Sequence, residues 1–231
     1  MKISIKLLPF VMLLLYELVA AQQIGILDIQ NASGRRHREP EGVSGASCGG
    51  VDHAYYPEAV VSLLSLDRTQ YRFGQSVFFE VKIRNVGKEP IILPWASNLA
   101  DFEPQNLSAT YTYRQGTVSL YFTAGKQELA VYSSFYGSPA HAGTLKELRQ
   151  GEWVKVRART RLETFDDSFS RAFGSADFVD TEVGADLMLN EVKFSPKGRD
   201  GKPAETSTCV LVRTQRANQL KATVFRRQSI R

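Results

Sequence analysis

The 231-residue chain carries 29 basic and 24 acidic side chains, a formal net charge of +5, with a pI near 9.2. With 43% hydrophobic and 23% charged residues it is too apolar for a disordered chain, and two cysteines exclude a disulfide-dense miniprotein or a four-cysteine zinc site. The length suits one large domain or two small ones.

Residues 1–21 read as a secretory signal peptide. Lys2 and Lys6 form a positive start, Leu7 to Leu15 is the apolar core, and Val19 and Ala21 are small enough for positions −3 and −1 of a cleavage site. The competing reading is an N-terminal membrane anchor, but an apolar run of about nine residues is short against the roughly 20 that span a bilayer. No later run of the sequence is expected to span a membrane. The expected location is therefore secreted, extracellular or periplasmic. Cleavage would leave 27 basic and 23 acidic side chains, a net +4. That mild charge, without a dense basic cluster, does not point to nucleic acid.

Residues 22–53 read as a flexible leader or linker, rich in glycine, serine and charge without periodicity. Gly45-Ala46-Ser47-Cys48-Gly49 formally satisfies G-x-S-x-G. A hydrolase elbow needs a strand before the serine and a helix after it, and the leader offers neither. Cys48 beside His53 lacks an orienting third group. In an oxidising compartment the two cysteines are read as one disulfide, Cys48 to Cys209, closing a loop worth roughly 5 kcal/mol in the chain-entropy model. Two free thiols are the competing reading.

From residue 54 to residue 231 the texture changes to alternation. Val60 to Leu66 is a first strand. Ser76 to Asn85 is the clearest, with Val77, Phe79, Val81 and Ile83 on one face and Glu80, Lys82 and Arg84 on the other. Asn85 to Pro90 is a turn, and Ile91 to Leu93 resumes. Leu107 to Arg114 and Thr117 to Thr123 read as a hairpin turning at Gln115-Gly116. Glu128 to Tyr132, Trp153 to Leu162, Leu187 to Phe194, Ser207 to Thr214 and Gln219 to Phe225 follow. Ser133 to Thr144 and Glu163 to Asp186 are expected to be loop insertions, the second with a short helix near Asp167 to Phe173. About nine strands with turns between them predict an all-β chain, an antiparallel β-sandwich with long loop insertions.

The run Tyr71-x-x-Gly74-x-x-Val77-x-x-x-Val81-x-x-x-Asn85-x-Gly87, then Pro90 and Leu93, resembles the opening of secreted bacterial immunoglobulin-like domains. It is similar to the intracellular proteinase inhibitor type. Leu148-x-x-Gly151-Glu152 is similar to that family's "L-x-P-G-E" turn, with Gln150 where the proline usually stands. The resemblance covers Val60 to Trp95 and Leu145 to Leu162 and implies an immunoglobulin-like fold. Protease inhibition does not transfer, because no reactive-loop residue matches.

Four groups of residues could carry function. His37, His53 and His141 fall in linker or loop and are read as exposed, not as metal ligands; no H-E-x-x-H, Walker loop or G-x-G-x-x-G occurs. Glu163 to Asp186 holds seven acids interleaved with four phenylalanines. Its spacing matches no calcium loop, so the rings are expected against the core and the acids in water. Lys155, Arg157, Arg159 and Arg161 share the outer face of one strand, about 6.6–6.8 Å apart. They are read as a solvated face paired with neighbouring acids, with a docking stripe for an anionic polymer or acidic partner as the functional alternative. Trp95, Tyr132, Phe135, Tyr136 and His141 form a candidate aromatic binding loop, weighed against capping of the core.

These readings predict a secreted, non-enzymatic binding module without cofactor. Its partner would be an unidentified protein or glycan, with neither nucleic acid nor a membrane span involved. A secreted protease inhibitor and a carbohydrate-binding module are the alternatives.

Overall fold

The computed structural model describes residues 22–30, 51–55, 57–95, 111–137, 146–163, 169–194 and 209–226. In chain order the strands are β1 (Gln23–Asp28), β2 (Val51–Tyr55), β3 (Val60–Leu66), β4 (Gln70–Arg72), β5 (Ser76–Asn85), β6 (Ile91–Leu93) and β7 (Tyr111–Ala124). They continue with β8 (Gln127–Gly137), β9 (Lys146–Leu148), β10 (Trp153–Arg161), β11 (Phe178–Phe194), β12 (Cys209–Arg213), β13 (Gln215–Arg216) and β14 (Leu220–Phe225). Helical structure among the described residues is limited to 3-10 turns at Pro57–Ala59 and Phe169–Phe173, and no helix there is long and apolar enough to cross a membrane.

The chain is all-β and its strands form several sheets. A five-stranded sheet has the order β1-β10-β5-β3-β13. A seven-stranded sheet is built around β11, which pairs with β14 and β12 along one edge and with β7 along the other, β8 lying beyond β7. β6 and β9 form a small third sheet. The inner residues of both large sheets belong to one buried cluster, including Val81 and Val156 from the first and Phe122 and Leu187 from the second. Ser62 Oγ of β3 donates to Ala185 O of β11 at 2.6 Å, joining the two sheets directly.

Several expectations need correction. The pairing is not purely antiparallel: β1 on β10, β2 on β12, β13 on β3 and β4 on β14 are parallel, so the sheets are mixed. Gln23–Asp28, expected in the leader, is an edge strand whose Leu27 is buried, with the following Ile29 buried too. Gln115-Gly116 is not a turn, because β7 runs straight through it. Residues 133–137 continue β8 instead of opening a loop. Residues 178–186 belong to β11, where Thr181, Val183 and Ala185 point inward and Asp180, Glu182 and Asp186 outward. The short helix near Asp167 to Phe173 is a 3-10 turn, and its Phe169 and Phe173 pack edge to face in the core, as expected of that segment's rings. Phe178 departs from that expectation and stands half exposed.

The motif residues at 71–93 and 148–152 form a joint between turns. Asn85 Nδ2 donates to Glu89 O at 2.8 Å and to Leu148 O at 2.9 Å, and its Oδ1 accepts from Gly87 N at 2.8 Å. Its backbone donates to Glu152 O and accepts from Gly151 N. Gly74 and Gly151 take φ values of 90° and 81°, a left-handed backbone that glycine adopts without penalty. The joint sets the register of β5 against β10.

Candidate interaction surfaces

Alternation in β5 and β10 sends Val77, Phe79, Val81, Ile83, Val154, Val156 and Ala158 into the core. The residues between them make an outer face. β5 and β10 are antiparallel, and the register sets Trp153 opposite Arg84, Lys155 opposite Lys82, Arg157 opposite Glu80 and Arg159 opposite Phe78. All four predicted basic residues therefore stand on one face, joined by Lys82 and Arg84 from the neighbouring strand.

Their charges are partly paired. Glu80 accepts from both Lys155 Nζ and Arg157 Nε, each at 2.7 Å. The Lys155 hydrogen bond is the main reason that the Glu80 carboxyl sits below its ordinary range; burial opposes it, and Arg157 adds to it. Arg161 pairs with Glu163 at 3.0 Å and donates to Gly74 O. Two rings lie among the cations: Arg159 stands 5.9 Å from the Phe78 centroid, and Lys82 lies 4.1 Å over Trp153. Lys82 is held below the usual lysine range by burial first, then by Arg84 and Lys155. Six cations thus share this face, while Glu80 is the acid that β5 and β10 themselves contribute to it.

Two residues of the predicted aromatic loop are buried. Trp95 is 1% exposed, and Phe135 is buried in β8. Tyr132 points away from the core and is 60% exposed, its carbonyl accepting from Thr160 Oγ1 of β10. The backbone of Tyr136 pairs with Gln115. His141 and Cys48 lie outside the described residues, as do residues 1–21, Ser47, and the segments 96–110 and 138–145. Cys209 opens β12 opposite Val51.

The outer face of the seven-stranded sheet has the opposite character. Asp180 accepts from Thr223 Oγ1 at 2.7 Å, Glu182 is opposite Lys221, and Thr123 Oγ1 bonds Glu128. These strands floor an open recess of about 770 Å³ edged by Thr69 and Gln70. Arg216 of β13 crosses Gly184, holds Asp186 at 2.9 Å and lies 3.7 Å over the Tyr121 ring. Sequence reasoning missed this face because the acids hid the alternation of β11. It also missed Lys82 and Arg84 as neighbours of β10, since nothing local states that β5 and β10 pair.

No known family model matches the chain, and no curated protein matches it. Two solved structures resemble it distantly. One is Spo0M, a sporulation control protein from Bacillus subtilis, at 13% identity over 72% of this chain and 49% of that protein, with a TM-score of 0.26. The chain thus spans about half the length of Spo0M. The other is AvmM, described as catalysing macrocyclization in alchivemycin A biosynthesis, at 9% identity over 76% of this chain and 93% of that one, with a TM-score of 0.32. Likeness of this degree assigns neither fold family nor activity.

Proposed function

We propose that this chain is a secreted, non-enzymatic binding module that holds an anionic polymer across the outer face of β5 and β10. The observation that carries the reading is Lys82 directly opposite Lys155. Like charges in that position oppose sheet pairing, on the scale of about 0.2–1 kcal/mol by which opposite charges favour it. A face serving stability alone would alternate sign, as Arg157 opposite Glu80 does. Long-range attraction to a polyanion accounts for the excess. The signal-peptide features of residues 1–21 support secretion. The Asn85 joint supports an immunoglobulin-like sandwich as the scaffold, with recognition on a sheet face.

Neither alternative has an observation in its favour. An inhibitory loop at 133–144 would begin inside β8, and the Trp95 ring is buried where no sugar can stack on it.

Retention on immobilised dextran sulfate or polyglutamate tests the proposal. The wild type is expected to bind at low salt and elute as salt screens the face. The double variant Lys82→Ala/Lys155→Ala should elute at clearly lower salt, about tenfold weaker in affinity. Flow-through of the wild type at low salt, or unchanged elution of the variant, would falsify it.

A further inference from the structure

The Trp95 indole Nε1–H is buried and meets no hydrogen-bond acceptor among the described residues. A buried donor left unpaired is costly, and native structures seldom retain one without a use. The residue is well anchored. Its backbone N–H donates to Leu93 O at 2.8 Å, and its carbonyl accepts from Arg114 Nη1 at 3.0 Å. Arg114 is in turn held by Glu191 at 2.7 Å.

The indole nitrogen lies beside Gly25 of β1. A carbon at the Cβ position of Gly25 would stand 3.5 Å from Trp95 Nε1, 3.4 Å from Lys146 Nζ and 3.5 Å from Val154 Cγ1. Lys146 donates to Ile24 O at 3.0 Å, which leaves two of its three N–H donors. No carboxylate among the described residues pairs with it. A neutral donor and a cationic one therefore lie within 3.5 Å of the same point beside Gly25. The third atom nearest that point is a Val154 methyl, which accepts nothing, and Ile24 O close by already accepts from Lys146. A water there could take both donated bonds, but it would still need acceptors for its own two hydrogens. An anion needs none.

We infer that this niche is a small-anion site, in which one acceptor atom, a carboxylate oxygen or a halide, sits between Trp95 Nε1–H and Lys146 Nζ. The site faces the core side of β1 and is separate from the cationic outer face.

Gly25→Ala supplies the test. Its methyl would make ordinary van der Waals contacts at 3.4–3.5 Å, so it should fold while filling the niche. The chain has two tryptophans, and Trp153→Phe isolates the emission of Trp95. Sodium chloride and sodium acetate are titrated separately into Trp153→Phe, Trp153→Phe/Gly25→Ala and Trp153→Phe/Lys146→Met, with melting curves confirming that each is folded. The expected result is a saturable change in Trp95 emission in the first protein. The affinity should fall roughly tenfold or more in the other two, the scale of one charge-assisted hydrogen bond. A response to one salt alone identifies the anion as halide or carboxylate. Equal responses in all three proteins, or no response to either salt in the first, would overturn the site and leave water as its occupant.

Discussion

The ring of Phe135 fills the space that a side chain at Gly116 would need. The two residues are cross-strand partners in β7 and β8, and a methyl at 116 would lie 1.8 Å from Phe135 Cζ. Gly116→Ala should therefore cost about 1–3 kcal/mol as overpacking, and Phe135→Ala about 3–5 kcal/mol as a cavity. The double variant should cost less than the sum, since the second change removes the clash made by the first. Urea denaturation of the four proteins checks this, and additive costs would refute it.

Arg114 is 4% exposed and depends on Glu191, which stands opposite it across β7 and β11. Glu191→Ala removes one charged partner of a buried guanidinium that keeps its bond to Trp95 O, and should cost about 1.5–3 kcal/mol. A loss below about 1 kcal/mol, the range of a surface pair, would show that water reaches Arg114.

Glu80 couples the cationic face to acidity. Its carboxyl is depressed in the folded chain, so its contribution to stability is present above the unfolded glutamate value and disappears as pH falls through the lower folded value. Glu80→Gln should remove that part of the acid limb of the stability curve. It also releases Lys155 and Arg157, so the variant should hold dextran sulfate to higher salt than the wild type. Weaker retention would mean that Glu80 orders the cations for binding.

Tyr71 is buried and donates its hydroxyl to Asp67 Oδ1 at 2.8 Å. Burial foremost, then the Asp67 hydrogen bond and charge, push its pKa above the tyrosine range. Its contribution is complete below the unfolded value of about 10 and is lost as pH rises toward the folded one. In an ultraviolet titration a late step should appear only as the fold opens, and Tyr71→Phe should delete it. A late step that survives in Tyr71→Phe, or none in the wild type, would contradict this.

The β2–β12 register sets Cys209 opposite Val51, three residues after Cys48. Mass measurement of protein from an oxidising host, before and after reduction, should show two hydrogens gained on reduction. An unchanged mass would establish free thiols.

Local pattern reveals this fold where the residues that build an element also punctuate it. β5 alternates without a break and ends at Asn85, whose side chain closes the next turn, so its bounds can be read directly. β7 cannot be read that way: Gly116 looks like a turn residue until Phe135, 19 positions on, is known to cover it. The acids of β11 mimic a loop because its outer face is charged, while Val183 and Ala185 quietly keep the period of two. β1 is too short and glycine-interrupted to stand out, and only its parallel partner β10 explains it. The basic residues of β10 were legible as one face, but Lys82 and Glu80 join them only through pairing between distant segments. The niche beside Gly25 depends on three such segments and leaves no local trace.

β11 also bears on the order in which the chain can fold. One edge of this strand is completed by β12 and β14, which leave the ribosome after it, and β2 and β4, made much earlier, pair among the described residues only with those late strands. Until residues 209–226 have emerged, the longest strand keeps an open edge and two early strands have no place to dock. Completion of the sheet therefore waits for its last strands, and the nascent chain needs protection from edge-to-edge association during that interval.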